Sequence, residues 1–400
     1  MNILYVTIQD LTRPGGARSH VLGFCEGLKA LGNDVRIVSP YDEETKERHG
    51  RNGILGRTLH MLKLVKMHRT IVECIRSGWP EIVYFRRGYL NPGLLTAFTA
   101  CGVKVFLEIN SILENESFNL IRHVVSRASA IADHLRFMKA DLLVAVSDGL
   151  REHLLSTYKR IPSSKVLVVI NGVDTKVFFP RNRRECRKEL GIDQDAFVVV
   201  FAGKAAERHG LNKAVAAMNI LKRKHGGRVH LHIVGDGPAL REVERSVALS
   251  GLEDAVHFEG MRPHEELTRF IGASNLCISP HSAWPTNSIG VSPLKIFEYL
   301  ACGRPIICSD VKGIGRIMEE IEGEGDITLV RPDDEFSLAA AIERSMDAQV
   351  KSRTRIEELH RKISWKARAE IVYDQMRKHA AHRKSNIGAL ELHQNRSGST

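Results

Sequence analysis

Short apolar runs bounded by turn residues alternate with stretches of helical spacing along almost the whole chain. Asn2–Ile8, Asp34–Ser39, Glu81–Arg86, Lys104–Glu108, Asp141–Val146 and Lys165–Ile170 are apolar through their interiors rather than alternating, the pattern of strands buried on both faces. A second series starts at Ala196–Ala202 and continues near 229–234, 255–259, 275–279, 304–308 and 327–330. The stretches between them carry helical spacing. Such alternation predicts an α/β chain built on parallel, doubly wound sheets. At 400 residues the chain exceeds one ordinary core, so two domains are expected. The first is placed at 1–175 and the second at 196–350, joined by a charged, Pro180-bearing linker over 176–195. Helices follow over 351–382, and the polar, basic segment 383–400 reads as a disordered tail.

One predicted helix carries a second pattern. Over Thr58–Arg76, apolar Met61, Leu64, Val65, Ile71, Val72 and Ile75 follow i, i+3, i+4 spacing, while Lys63, Lys66, Arg69 and Arg76 form a basic stripe. Residues 51–90 hold eight Lys and Arg against two Glu. Two arrangements fit: a core-facing helix with a solvated basic face, or a helix lying on an anionic membrane surface.

Composition narrows the classes. A net charge of +11 favours acidic partners, whereas its even spread and an aromatic content of only 6% argue against nucleic acid. The seven cysteines are odd in number, lack a CxxC and lie mostly in apolar runs, which suggests buried thiols in a reducing compartment and neither a disulfide frame nor a zinc site. MNILYVTI is short and uncharged for a signal peptide, and no apolar run approaches the roughly 20 residues that span a bilayer. The expected location is cytoplasmic, peripheral on the inner face of a membrane.

Doubly wound sheets bind ligands at the carboxyl ends of their strands. In the first half those ends carry Gly15–Gly16, which is not GxGxxG, then Arg86-Arg87-Gly88, Glu108-Ile109-Asn110 and Ser147-Asp148-Gly149. In the second they carry Gly203–Lys204, Arg208-His209-Gly210, Gly235-Asp236-Gly237-Pro238, Glu259-Gly260-Met261-Arg262 and Pro280-His281-Ser282. The stretch Asn287–Asp310 stands out. Its loop, with Ser288, Gly290, Val291, Ser292 and Pro293, runs into the short helix Leu294–Ala301, so open N–H groups and the positive dipole end face the loop, a phosphate-binding arrangement. Lys295 and Glu298, three apart, share one side of that helix and could hold a phosphate and a ribose. An ordinary capped helix with a solvated Lys–Glu pair has the same local pattern. The surrounding strand ends favour the phosphate grip, since Lys204, Arg208, Arg262 and Lys295 are cations at one sheet edge, which a diphosphate needs where no metal-binding DxD serves it.

Taken in order, the strand–Gly-Gly–helix opening over Asn2–Leu31, VSDGLREHL (146–154), VLVVINGVDTKVFFP (166–180), FAG and HGL within 201–211, IVGDGP (233–238), FEG (258–260) and SPLKIFEYLACGRPII (292–307) resemble the GT-B-fold retaining glycosyltransferases, family 4 (glycosyl transferases group 1) in particular. The resemblance covers nearly the whole chain. It implies two Rossmann-like domains facing a central cleft, with the acceptor at the first, the nucleotide-sugar at the second, and the C-terminal helices crossing back to the first. The implied reaction moves a sugar from a nucleotide-diphosphate-sugar, a UDP- or GDP-sugar, to a glycan or lipid-linked acceptor, with no cofactor and no metal. Glu298 matches the glutamate that holds the ribose. Lys295 and the backbone of Gly290, Val291, Ser292, Pro293 and Leu294 would hold the diphosphate, Gly16 would face the donor phosphate, and Arg262 lies in the segment flanking the base. Lys204 and Arg208 flank the usual place of the loop's basic residue. Two departures stand out: Gly290 occupies the position of a sugar-contacting glutamate, and the strand that often ends in a catalytic-loop histidine ends in Glu108-Ile109-Asn110, which leaves Glu108 and Asn110 as candidates for touching acceptor or sugar. A nucleotide-sugar epimerase of the same fold, or an inactive nucleotide-sugar-binding subunit, are the alternatives.

Overall fold

The computed structural model describes residues 1–12, 15–41, 54–86, 98, 100–110, 133–283, 289–322, 327–347 and 356–397, and at 54–57, 59, 347 and 382–397 the backbone alone. The chain divides into two compact units. Unit 1 holds Met1–Val146, Leu150–Val169 and Trp365–Thr400; unit 2 holds Ser147–Gly149 and Ile170–Ser364.

Unit 1 contains β1 (Asn2–Val6), α1 (Gly16–Ala30), β2 (Asp34–Val38), α2 (Ile54–Arg76), β3 (Ile82–Arg86), β4 (Lys104–Ile109) and β5 (Leu142–Ala145). Helix α3 (Asp148–Thr157) and β6 (Val166–Val168) follow. The strands form one sheet in the order β2-β1-β3-β4-β5-β6, and every pair is parallel. The order reverses between β1 and β3, so the crevice for a ligand lies at the carboxyl ends of those two strands.

Unit 2 continues with α4 (Arg183–Leu190), β7 (Phe197–Ala202), α5 (Leu211–His225), β8 (Val229–Val234), α6 (Leu240–Leu249), β9 (Val256–Gly260), α7 (His264–Ala273) and β10 (Leu276–Ser279). It closes with α8 (Leu294–Ala301), β11 (Ile306–Ser309), α9 (Ile314–Glu320), β12 (Ile327–Val330), α10 (Glu335–Asp347) and α11 (Ile356–Ile363). The order β12-β11-β10-β7-β8-β9, again wholly parallel, reverses between β7 and β10. Alternate residues of β7 feed two cores, as the two-residue strand period requires. Val198, Val200 and Ala202 pack with Ile296, Phe297 and Leu300 of α8, whereas Val199 and Phe201 pack with Leu211, Val215 and Met218 of α5. Apolar runs thus became central strands because both faces are covered.

The strand limits fall within a residue or two of those read from the apolar runs, and three features differ. The units divide at 169/170, ahead of the 176–195 segment expected as a linker, because α4 in that segment packs on α7 within unit 2. In α2 the buried stripe is Met67, Ile71 and Ile75, at i, i+4, i+8; Met61 and Val65, expected on the apolar face, are exposed. The final helix, α12, runs Trp365–Ser397 through most of the segment expected to be disordered, a stretch that holds no proline to stop it. Helix α12 belongs to unit 1, where it packs closely on α1: a Cβ on Gly27 would stand 2.7 Å from the Trp365 carbonyl oxygen. Five of the seven cysteines are buried as free thiols, Cys74 is half-buried and Cys101 is exposed. No described helix is long and apolar enough to cross a membrane.

Candidate nucleotide-sugar site

The reversal in unit 2 puts the ends of β7 and β10 side by side, and α8 starts beside them. Lys295, in the first turn of α8, is only 8% exposed. Its side chain passes over Gly203, where a Cβ would lie 3.4 Å from Lys295 Cε, and its Nζ rests 3.8 Å from the Phe201 ring centroid. That Nζ has no hydrogen-bond partner among the described residues. A desolvated ammonium facing only a π cloud is costly to leave so, and it invites an anion. Burial, reinforced by Arg208 and opposed by Glu298, lowers the Lys295 ammonium to about 7. Burial pushes Glu298, one turn along the same helix, up to about 7 against the pull of Lys295. No hydrogen bond to the Glu298 carboxylate is formed among the described residues.

Two histidines from the strand ends Arg208-His209-Gly210 and Pro280-His281-Ser282, to which the sequence pattern gave no role, complete the cluster. His209 and His281 meet edge to face at 5.3 Å. His209 Nδ1–H donates to the Lys204 carbonyl, and His281 Nδ1 lies 3.1 Å from Ser279 Oγ. Burial first, then the Lys295 charge, drive His209 down to about 2 and His281 down to about 3, so both are neutral imidazoles while no anion is present. The Arg208 carbonyl accepts from Ser282 N–H at 3.1 Å, which ties the loop after β7 to the loop after β10. Arg208 and Lys204 themselves are exposed at this edge.

The frame of the site is stiff. Tyr299 Oη accepts the Ala202 N–H at 2.8 Å, fastening α8 to the end of β7 from within the core. Ser292 Oγ accepts Asn171 N–H and Val291 N–H donates to the Lys312 carbonyl, each at 2.9 Å, so the loop entering α8 is held from both sides. No side chain among the described residues caps α8; Ile296 N–H donates to the Pro293 carbonyl at 3.2 Å, which leaves the N–H groups of Leu294 and Lys295 at the helix start without an intrahelical acceptor. Gly290 has φ +113, and a Cβ there would come within 2.9 Å of Ser147 Oγ, also in unit 2. A glutamate at this position would need both strained backbone and a displaced serine. Ser147 is therefore a packing partner of this loop beyond any role as a helix cap.

The remaining sequence candidates separate. Arg262 is not in the cluster: it sits beyond the edge strand β9, with Nε donating to the Glu259 carbonyl at 2.8 Å and Nη1 paired to Glu266 at 3.4 Å. In unit 1, Gly16 is the exposed first residue of α1, whose N-cap Gly15 supplies no side chain. Glu108 is only 2% exposed and holds three partners: His20 Nε2 at 2.9 Å, the Tyr84 hydroxyl donating at 2.8 Å, and Arg86 Nε at 3.7 Å. Burial alone would raise its carboxyl; His20, Arg86 and Tyr84 overcome that and hold it down at about 2. So engaged, Glu108 is a weak proton acceptor and suits the anchoring of His20 and Arg86 at the β1/β3 crevice. Asn110, just beyond β4, is half-buried with its side chain in no hydrogen bond among the described residues. Arg87, Gly88, Asn287 and Ser288 lie outside the described residues. Among the described residues, no three His, Cys, Asp or Glu side chains are grouped to hold a metal ion.

Comparison with known proteins follows the two units. Residues 196–348 match the family described as "Glycosyl transferases group 1", and residues 14–177 match "Glycosyltransferase Family 4". The chain is 24% identical, over 80% of its length and 85% of the relative's, to an amylovoran biosynthesis glycosyltransferase of Erwinia amylovora. It is 32% identical, over 56% of its length, to a D-inositol 3-phosphate glycosyltransferase of Acidothermus cellulolyticus, of which it spans 49%. An α-maltose-1-phosphate synthase of Mycolicibacterium smegmatis is similarly matched over less than half its length, 46%. Among solved structures, a sucrose-phosphate synthase from Thermosynechococcus elongatus has the same fold, with a TM-score of 0.70, 21% identity, and 95% of this chain and 99% of that one covered. The Anabaena protein HepE, solved in complex with UDP, follows with a TM-score of 0.62, 17% identity, and 97% and 100% covered.

Proposed function

Given that the chain belongs to the group 1, family 4 glycosyltransferases of GT-B fold, we propose that it moves a sugar from a UDP- or GDP-sugar to a glycan or lipid-linked acceptor in cell-surface polysaccharide or glycolipid synthesis, with retention at the anomeric carbon. The observation that carries this reading is the buried, unpartnered Lys295 ammonium at the β7/β10 reversal, beside the open N-terminus of α8. Lys295, Arg208, Lys204 and the N–H groups after Pro293 meet the diphosphate, and Glu298 takes the ribose hydroxyls. A titrated, half-buried carboxyl suits that role, since two hydroxyl donors replace the water it has lost. HepE, of the same fold, is a protein solved with UDP and with UDP-glucose, which agrees with a nucleoside diphosphate filling this edge.

The chemistry asked of the protein is stabilisation of the departing diphosphate. Cations and helix N–H groups fixed in place before reaction do this without reorganisation, and each such donor is worth about 2.7–4 kcal/mol in comparable sites. The leaving phosphate oxygen accepts the acceptor's proton on the same face of the sugar, so no protein nucleophile is required. The exposed Met61 and Leu62 of α2, beside Lys66 and Arg69, suit contact with an anionic membrane that carries a lipid-linked acceptor.

The test is product analysis. Purified protein is incubated with a panel of nucleotide-sugars and lipid-linked or oligosaccharide acceptors, and the products are identified by mass spectrometry and anomeric proton NMR. A new α-linked glycoside from an α-linked donor supports the proposal. Conversion of the donor to its epimer without transfer supports an epimerase, and binding without any conversion supports an inactive subunit.

A further inference from the structure

Unit 2 has a second basic feature, at the edge where its strands begin. A cavity of about 460 Å³ is lined by Arg183, Arg184, Arg187, Gln194, Asp195 and Asn275, together with Phe197. Phe197 is the first residue of β7, and Asn275 immediately precedes β10. The cavity therefore lies under the same strand pair that carries Lys295 at its other end, and a six-residue strand puts the two roughly 20 Å apart.

Three guanidinium groups share this wall with one carboxylate. Arg187 is fixed and 3% exposed: Nε donates to the Ala273 carbonyl at 2.9 Å, Nη1 to the Gln194 carbonyl at 2.6 Å, and Nη2 to Asn275 Oδ1 at 2.6 Å. Its acceptors are all neutral, so its charge is met by no carboxylate within bonding distance. Arg183 and Arg184 open α4, where the helix dipole is already positive and cations are disfavoured. Neither forms an ion pair or side-chain hydrogen bond among the described residues. Arg304 lies behind the wall, bonded to the Arg181 carbonyl at 2.9 Å, and with Arg187 it lowers the Arg183 guanidinium, after burial as the first cause. The α4 N–H groups are not the attraction, because Asn182 Oδ1 already accepts from Arg184 and Glu185. Arg187 is thus a structural clamp on the end of α7 and on the 193–194 turn, and the side chains on the cavity wall that local bonding does not explain are Arg183 and Arg184.

We propose that this cavity is an anion site for a small molecule carrying two adjacent phosphate groups, separate from the donor site. Arginine forks match phosphate oxygens in pairs, and the volume falls in the range of small-ligand pockets. The inference stands independently of the transferase reading, since it uses none of the residues placed in that site.

The experiment is calorimetric titration of the full chain carrying Lys295→Ala, which weakens diphosphate binding at the other edge. Inorganic pyrophosphate is the probe, at fixed ionic strength, with sodium chloride as the control. Saturable binding is expected, and in Arg183→Glu/Arg184→Glu on the same background it becomes at least tenfold weaker, while the thermal midpoint without ligand does not fall, because both side chains lie at the surface and carboxylates suit the first turn of α4. A parallel titration with UDP separates the sources: heat with pyrophosphate alone marks a free diphosphate, and heat with both marks a nucleotide. The proposal is overturned by no saturable binding, by equal affinity in the charge-reversed protein, or by chloride reproducing the heat.

Discussion

The Lys295 ammonium stands 3.8 Å from the centroid of the Phe201 ring and forms no hydrogen bond among the described residues. Held at about 7, it is about half neutral at physiological pH while the site has no anion. A bound diphosphate favours its charged form, so binding above pH 7 takes up a proton. Affinity is expected to fall, by up to about tenfold per pH unit, as pH rises above 7 toward the higher value in the complex. Calorimetry in buffers of different ionisation enthalpy checks this. Uptake of close to one proton at pH 8 is expected in the wild type and none in Lys295→Met.

Gly290→Glu restores the glutamate that the family pattern expects, yet it is expected to damage the protein. Its φ of +113 and the 2.9 Å approach of a Cβ to Ser147 Oγ leave no unstrained place for a side chain. Backbone strain alone costs on the order of 1–3 kcal/mol. A lowered thermal midpoint and lost donor affinity are expected; increased transfer would show that the loop can accommodate the residue.

Glu108 sets a pH dependence of stability in unit 1. Its folded value of about 2 lies below the ordinary 4.5 of a glutamate in the unfolded chain, so its contribution is complete above about 4.5 and is lost as pH falls toward 2. The shift corresponds to roughly 3 kcal/mol. Glu108→Gln is expected to lower stability by a similar amount at pH 7 and to remove that part of the acid dependence. Urea unfolding at pH 7 and pH 3 measures both.

Exposed Met61 (59%) and Leu62 (60%) beside Lys66 and Arg69 give a test of membrane contact. Sedimentation with vesicles rich in phosphatidylglycerol is expected to carry the protein down. Met61→Glu/Leu62→Glu is expected to leave most of it in the supernatant while the fold is unchanged, and so is neutral phosphatidylcholine.

The fold was readable because parallel strands covered on both faces leave continuous apolar runs, as β5 and β7 do. Lys295 and Glu298 were readable for another reason: three-residue spacing after a Gly/Ser loop fixes them on one side of a helix that starts at the sheet edge. Glu108 was misleading, because a carboxylate at a strand end looks available until His20, Tyr84 and Arg86, from two other elements, are seen to occupy it. Arg262 likewise reads as an available cation, whereas its direction depends on Glu259 and Glu266 nearby. His209 and His281 gave no periodic signal. Only the pairing of β7 with β10, a contact between residues far apart in sequence, brings them to Lys295. Phe201 and Tyr299 read simply as core, although one underlies the ammonium and the other fastens the helix that carries it.

The most direct measurement is the dissociation constant of UDP and of GDP for the wild type, Lys295→Ala and Glu298→Ala, by calorimetry at pH 7. At least one nucleotide is expected to bind the wild type, and each substitution is expected to weaken it at least tenfold, the equivalent of about 1.4 kcal/mol or more. Unchanged affinity in both variants, with the wild type binding, would contradict the assignment of the β7/β10 edge as the donor site.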